Sequence, residues 1–342
     1  MKVLFYSKEL GRLVNTQAQG SGARPAASRS SLNPPVFLYE MKGHQVDTAD
    51  ETTIEKKIVD AEVLVTRPGA PVGRDLLRTA PGLKMLQQWG AGLEGIDFAA
   101  CRDLGIIVCN TPSRGTGNAE GVTEIALLHM LLLGRKYSFA HENMYAGKMF
   151  SPRGISLWRK TACIVGLGNL GRTIAERLSA MGMTLRGVNR SPLTAERLEQ
   201  MKIREFFPLS RLREAVSGCH FVVAALALSD ETHELFDEEI FHAMDEGTFF
   251  INIARGALVK EDALLRALNE KRLAGAGLDV LRDEPPHPDN PLLHHPSVTL
   301  TPHIGGNTDE SAKGIFEFIR DNVDRLSQGE EPLSRQDAKT GR

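Results

Sequence analysis

Residues 161–190 read TACIVGLGNLGRTIAERLSAMGMTLRGVNR. An apolar run, a glycine-rich turn, a segment with apolar residues at helical spacing and a second apolar run predict strand, turn, helix and strand in that order. The turn, GLGNLG at 166–171, satisfies GxGxxG. Gly166 permits the tight turn, Gly168 lets the backbone approach a pyrophosphate, and Gly171 allows the helix to pack closely on the strand. The exposed amides and positive end of that helix favour phosphate. The six residues alone could be a structural turn; the complete βαβ unit around them points to a dinucleotide.

The end of the second strand discriminates between dinucleotides. An NAD site usually places Asp or Glu there, where it grips the ribose hydroxyls. This chain has Val188, Asn189, Arg190 and Ser191. Without a carboxylate, a 2′-phosphate meets no like charge, and Arg190 can give it charged hydrogen bonds while Ser191 adds a neutral one. NADP(H) is therefore favoured over NAD(H). The alternative is a solvent-exposed arginine after the strand, with NAD held by Asn189.

Outward from this unit, strand signals precede it at MKVLFY (1–6), EVLVTR (62–67), LKMLQQW (83–89) and GIIVCN (105–110). Others follow at CHFVVAAL (219–226), GTFFINI (247–253), GAGLDV (275–280) and SVTLTP (297–302). Strands alternating with helical patterns predict an α/β protein with parallel sheets. Residues 120–145 read as one helix, apolar on nearly all faces of its first half, which suits burial between domains or against a partner subunit. Residues 309–329 read as a final helix with Asp309 or Ser311 as a cap. Residues 17–35, QAQGSGARPAASRSSLNPP, carry few large apolar side chains and are expected to form a mobile insertion.

A chain of 342 residues is long enough for two domains. Its formal net charge of -2 at pH 7 argues against a nucleic-acid partner or a polybasic membrane surface. The most apolar run, IALLHMLLLG at 125–134, is about half of the ~20 residues that a membrane span needs. The start, MKVLFYSKEL, lacks a secretory signal pattern, so a cytoplasmic protein is expected. Cys101, Cys109, Cys163 and Cys219 show no CxxC spacing and read as buried thiols, with no metal site expected.

Three later segments complete the pattern: FINIARGALV (250–259), AGLDVLRDEPP (276–286) and VTLTPHIGG (298–306). Together with LKMLQQWGAGLEGID (83–97), TGNAEGVTE (116–124) and the GLGNLG turn, they resemble the D-2-hydroxyacid dehydrogenase family, which includes glyoxylate and hydroxypyruvate reductases and phosphoglycerate dehydrogenases. The resemblance covers nearly the whole chain after the insertion. It implies that Arg255 binds substrate, that Glu284 is the acidic partner and that His303 is the catalytic acid or base. Asp283 beside Glu284 is a local competitor for that role.

Chemistry agrees with these residue types. A guanidinium can hold a 2-keto acid's carboxylate and polarise its carbonyl. A protonated imidazole can give its proton to the developing alkoxide, and a carboxylate on its far side fixes the tautomer and raises its pKa. The resemblance assigns Asp279 to the nicotinamide carboxamide and adds Thr123, Asn169, Leu170, Ile253, Ala254, Gly305 and Gly306 to the cofactor contacts. Trp89, Gly90, Ala91 and Gly92 resemble the loop whose amides receive the substrate carboxylate, although Trp89 could equally be core. His294 and His295 precede Pro296 and read as loop residues. GLEGID replaces the commoner GVDNID, and TPSRGTGNAEG carries extra residues, so no particular member's substrate preference transfers.

The fold so implied has two Rossmann-like domains with parallel sheets and an active site in the interdomain cleft. The substrate domain is discontinuous, 1–112 and 305–333, and the dinucleotide domain is 113–304. The helix from Glu120 resembles the family's dimerisation arm, so a homodimer is expected. The function implied is NADPH-linked reduction of a small 2-keto acid such as glyoxylate or hydroxypyruvate. The alternatives are NAD-linked oxidation of a larger or phosphorylated D-2-hydroxy acid, and a nucleotide-sensing protein-interaction module.

Overall fold

The computed structural model describes residues 1–6 and 41–336. The expected insertion at 17–35 lies outside the described residues. The chain divides into two compact units, 1–116 with 309–342, and 117–308. The crossings fall between Thr116 and Gly117 and between Thr308 and Asp309, a few residues beyond 112 and 304. Local packing accounts for both positions. The Thr116 hydroxyl donates to the carbonyls of Pro112 and Ser113, and a Cβ on Gly314 would lie 2.4 Å from the Thr116 carbonyl oxygen, which holds this turn to the first unit. In the second unit, a Cβ on Gly121 would lie 2.7 Å from the Gly305 oxygen.

The first unit is a five-stranded parallel sheet in the order β2-β1-β3-β4-β5. Its strands are β1 (Lys2–Tyr6), β2 (Gln45–Ala49), β3 (Val63–Thr66), β4 (Met85–Gln88) and β5 (Ile107–Cys109). Strand side chains alternate between faces. Leu4, Leu64, Leu86 and Val108 pack on the helices α1 (Ile54–Lys57), α2 (Arg74–Arg78) and α3 (Phe98–Asp103), with Asp97 capping α3 by accepting from the Ala100 amide. β2 escaped the sequence reading because QVDTA, on the sheet edge, buries only its last residue and so carries no apolar alternation.

The second unit is a seven-stranded parallel sheet in the order β12-β11-β10-β9-β6-β7-β8. Its strands are β6 (Thr161–Val165), β7 (Thr184–Asn189), β8 (Ile203–Pro208), β9 (Phe221–Ala224), β10 (Thr248–Asn252), β11 (Leu273–Leu278) and β12 (Val298–Leu300). β8, a second edge strand missed by pattern, buries only Ile203 fully. The helices are α4 (Asn118–Gly134), α5 (Tyr137–Tyr145), α6 (Asn169–Ala180), α7 (Ala195–Gln200), α8 (Leu212–Val216), α9 (Glu238–Ala243) and α10 (Glu261–Asn269).

The helix expected over 120–145 is two helices, because Lys136 adopts φ +52 and ends the first run. α4 packs into β11 where the strand has no side chains: a Cβ on Gly275 would meet Leu133 at 2.9 Å, and one on Gly277 would meet the His129 Cβ at 2.4 Å. Its outer face and the segment after it leave Leu128, Leu131, Tyr137, Phe139, Met144, Tyr145, Met149, Phe150 and Trp158 exposed.

The chain returns to the first unit through α11 (Asp309–Ser327), whose Ile315, Phe316, Ile319 and Val323 cover Val3, Phe5, Val63, Val65 and Met85. Asp309 and Ser311 lie inside its first turn rather than capping it. A buried amide pair joins this helix to the sheet: Asn322 Nδ2 donates to Gln87 Oε1 at 2.7 Å, and Asn322 Oδ1 accepts from the Leu333 amide at 2.7 Å. Among the described residues, no helix is long and apolar enough to cross a membrane.

Candidate active site

The glycine turn follows β6, at the point where the strand order of the second sheet reverses, the place where open α/β sheets bind ligands. Its three glycines differ in what demands them. Gly166 has φ +104, and a Cβ there would lie 2.7 Å from the backbone of Ala225. A Cβ on Gly171 would lie 1.9 Å from the Gly166 oxygen. Both are required by the fold. A Cβ on Gly168 would meet nothing within 4 Å, and its backbone is in an ordinary region, φ -76. The fold does not ask for glycine at 168. Its bare backbone leaves the N-terminus of α6 open, which fits close approach by a dinucleotide's phosphates. Asn169 and Leu170 begin α6 beside it.

At the end of β7, Asn189 Oδ1 accepts from the Leu167 amide at 3.3 Å and its Nδ2 donates to the Ser191 carbonyl at 2.9 Å. Asn189 therefore braces the turn. Arg190 is 72% exposed and pairs with Glu231 at 3.5 Å, a solvated contact worth little. Its guanidinium can change partner at small cost. Thr123 on α4 is buried, and its hydroxyl donates to the Ala119 carbonyl at 2.7 Å.

Arg255, Glu284 and His303 follow the ends of β10, β11 and β12, which are neighbours in the sheet. His303 Nδ1 lies 2.7 Å from Glu284 Oε2, and Glu284 Oε1 accepts from the Leu281 amide at 3.2 Å. The partner of His303 is thus Glu284 rather than Asp283. The hydrogen bond that Nδ1–H donates to Glu284, and the charge of that carboxylate, raise the His303 pKa above the usual imidazole value, against burial and the positive Arg255. For Glu284, burial pushes upward, but the His303 hydrogen bond and charge, the Leu281 amide and the positive Arg255 together outweigh it and the carboxyl ends below its ordinary range. With carboxylate at Nδ1, the neutral tautomer carries its proton there, leaving Nε2 to exchange one with a substrate.

Ile253 and Ala254 are buried at the end of β10. Asn252, which the sequence reading passed over, fixes the turn that carries Arg255. Its Oδ1 accepts from the Ala254 amide at 3.1 Å and its Nδ2 donates to the Arg255 carbonyl at 2.9 Å. Arg255 Nη1 donates to the Ala254 carbonyl at 2.8 Å. Gly256 is compelled by packing, since a Cβ there would lie 1.9 Å from the Leu281 oxygen. That close passage sets the arginine turn against the loop leading to Glu284.

Asp279 is 3% exposed. Its Oδ1 accepts from the Thr301 hydroxyl at 2.6 Å and the Ile304 amide at 3.0 Å, and its Oδ2 accepts from the Gly305 amide at 2.9 Å. The carboxylate thus clamps the turn bearing His303, whose φ is +52. Gly305 is demanded by packing as well, since a Cβ there would lie 2.9 Å from Asp279 Oδ2 and 3.2 Å from the Val122 Cα; at Gly306 a Cβ would meet the end of the Asn118 side chain. His294 and His295 lie in the loop before β12, His294 Nε2 near the Pro288 carbonyl and His295 Nδ1 accepting from the Ser297 amide.

In the first unit, the loop after β4 carries Trp89, Gly90, Ala91 and Gly92. Trp89 is half-buried, packs edge-on against Phe5 at 6.4 Å, and belongs to the core under α11. Gly90 has φ +112; its carbonyl accepts from the Thr111 amide, and that of Ala91 from Asn110. The four cysteines are buried and form no disulfide, and among the described residues no cluster of His, Cys, Asp or Glu could hold a metal ion.

Residues 127–305 match the family described as D-isomer specific 2-hydroxyacid dehydrogenase, NAD binding domain. The chain is 32% identical over 281 residues to D-3-phosphoglycerate dehydrogenase 2, chloroplastic, of Arabidopsis thaliana, covering 81% of this chain and 44% of that protein. It thus spans about half the length of the phosphoglycerate dehydrogenases it matches. It is 32% identical over 303 residues to the glyoxylate reductase of Pyrococcus horikoshii, covering 86% of this chain and 88% of that one. The NAD-dependent formate dehydrogenase from Staphylococcus aureus, solved in complex with NAD, superposes with a TM-score of 0.75 at 25% identity, covering 96% of each chain. The chain belongs to the D-isomer-specific 2-hydroxyacid dehydrogenase family.

Proposed function

We propose that this protein is an oxidoreductase that reduces a small 2-keto acid of the glyoxylate or hydroxypyruvate class, with NADPH favoured over NADH. The observation that carries the reading is the 2.7 Å pair of His303 and Glu284 beside Arg255, at adjoining strand ends on the sheet that bears the open Gly168 turn. When bound, the nicotinamide supplies or accepts the hydride. His303, whose protonated form Glu284 favours, gives the proton from Nε2 to the substrate oxygen in reduction and, when neutral, takes it back in oxidation. Arg255 holds the substrate carboxylate and polarises the carbonyl. Trp89, Gly90, Ala91 and Gly92 offer a glycine-rich backbone for the carboxylate.

The 32% identity to the glyoxylate reductase of Pyrococcus horikoshii over 303 residues supports a small substrate. The missing carboxylate at 188–191 and the loosely held Arg190 support NADPH. The phosphoglycerate relatives and the NAD binding domain in the family's description favour a second reading, NAD-linked oxidation of a phosphorylated D-2-hydroxy acid. The exposed apolar residues on α4, α5 and the segment after them support a homodimer.

Steady-state kinetics with NADPH and NADH against small, branched, aromatic and phosphorylated 2-keto acids separates these readings. Turnover of glyoxylate or hydroxypyruvate with NADPH is expected. Preference for NAD and a phosphorylated acid would move the assignment to the second reading. Tight nucleotide binding without turnover of any acid would leave a nucleotide-sensing module instead.

A further inference from the structure

We infer that His129 is a positioning residue for His303, acting through Thr301 and Asp279; the inference rests on His303 being the proton carrier. His129 stands in the middle of the apolar run of α4 and is 0% exposed. Both ring nitrogens are bonded: Nδ1 lies 2.7 Å from Thr299 Oγ1 and Nε2 lies 3.0 Å from Thr301 Oγ1. A core histidine with both nitrogens satisfied could be merely structural. What distinguishes this one is where the hydrogen bonds end.

Their direction follows from donor arithmetic. A carboxylate only accepts, so the single Thr301 hydroxyl proton goes to Asp279 Oδ1, 2.6 Å away. Thr301 Oγ1 must then accept from His129 Nε2–H. Burial pushes the His129 pKa down to about 4, so at neutral pH the ring carries one proton, at Nε2, and Nδ1 accepts from the Thr299 hydroxyl. The chain Thr299 to His129 to Thr301 to Asp279 therefore runs one way and ends on the carboxylate, the arrangement in which successive bonds polarise one another. Gly277 leaves the room that the His129 side chain fills.

Asp279 in turn holds the turn that bears His303. Its side chain accepts from the Ile304 and Gly305 amides, and its carbonyl accepts from the His303 amide at 2.8 Å. His303 needs that restraint, because φ +52 is a region that residues with a side chain rarely occupy. Removing the Nε2–H donor frees the Thr301 hydroxyl to rotate, loosens Oδ1 and relaxes the turn that aims the imidazole.

The test compares His129→Met with His129→Gln in the full-length protein. The two replacements have the same length, but only glutamine can donate to Thr301. Two readouts are taken: amide hydrogen exchange at Ile304 and Gly305, and kcat and KM for a 2-keto acid. In H129M, exchange at both amides is expected to rise about five- to tenfold, the weight of one buried hydrogen bond. kcat should fall by a similar factor with KM little changed, and H129Q should behave as wild type. Equal behaviour of H129M and H129Q, in exchange and in kcat, overturns the inference and leaves His129 a packing residue. Should H129M not fold, Thr301→Val breaks the next link, and unchanged exchange at Ile304 and Gly305 there overturns it equally. If exchange rises in H129M although the wild-type protein turns over no 2-keto acid, the coupling stands and the proposed function falls instead. Unchanged exchange in an active enzyme does the reverse.

Discussion

Alanine at Gly168 and alanine at Gly171 test the nucleotide reading by opposite signatures. At Gly171 the new Cβ would sit 1.9 Å from the Gly166 oxygen, a backbone atom that cannot swing aside. Overpacking of this kind costs ~1–3 kcal/mol or more. At ~2–4 °C per kcal/mol for a unit of this size, Tm should fall by ~2–12 °C. At Gly168 the Cβ meets nothing within 4 Å and φ is -76, so the fold loses only some quality of the helix cap, at most ~1 kcal/mol. The methyl nevertheless occupies the space through which a phosphate would approach. If displacing the ligand costs ~1–3 kcal/mol, affinity for NADPH falls ~5- to 150-fold. Thermal melts of the nucleotide-free proteins and calorimetric titration with NADPH and NADH, well below Tm, give both numbers. Gly168→Ala with full affinity for both nucleotides would refute the reasoning, because the open space before α6 would then not be where the phosphates sit.

Replacing Glu284 with Gln removes the charge that raises His303 and should move the alkaline limb of kcat/KM for reduction toward the ordinary imidazole value of about 6.5. The sign follows from His303 acting as proton donor: reduction is fastest below its pKa and fails as pH rises through it, so an unmoved limb in the variant would detach His303 from that profile. The same shift makes a stability statement. The raised His303 pKa stabilises the fold fully below about 6.5, and that contribution is lost as pH rises through the higher folded value. Arg190→Ala should weaken NADPH by ~10-fold or more, as loss of a charged hydrogen bond implies, and leave NADH alone; parallel losses for the two nucleotides would place Arg190 away from the 2′-phosphate. Glutamate at both Phe139 and Tyr145, 55% and 82% exposed, should convert a dimer to monomers in sedimentation velocity, and an unchanged mass would show that this apolar face serves something else.

The sequence disclosed what periodicity and glycine chemistry encode, and little else. The apolar strands that lie inside the sheets were legible because burial on both faces leaves continuous runs such as CIV and FVV. Two of the edge strands, β2 and β8, were not, since half-exposed strands need no such run, although β5 and β12 at the opposite edges were read. One helix was read over 120–145 because apolarity does not reveal a break made by a single left-handed lysine at 136. At the candidate site, the family resemblance pointed to Arg255, Glu284 and His303 but left Asp283 open against Glu284, and the 2.7 Å contact with His303 belongs to Glu284. The resemblance did not show that Asn189 braces its own turn, that Thr123 spends its hydroxyl on α4, or that Asn252 secures the arginine. Those employments depend on which backbone groups arrive nearby, which is a property of three dimensions.

The glycines carry the same lesson further. The motif treats its three positions as one signature, yet in this chain two are consumed by the fold and one is surplus to it. A residue that the fold requires says nothing about ligands, since it would be kept in a protein that binds none. Gly168 is informative because no packing explains it. By that criterion Gly256, blocked by the Leu281 backbone, reports how closely the loops after β10 and β11 are pressed together, and Gly305, blocked by Asp279 Oδ2, does the same for those after β11 and β12. These three strands are neighbours, ~4.8 Å apart in the sheet, so motifs roughly 25 residues apart in sequence reach one edge. The glycines then bring the loops close enough for a carboxylate to find its histidine. Bulk at Gly256 or Gly305 should therefore damage the acid–base pair by separating its loops, whereas bulk at Gly168 should act mainly on nucleotide binding.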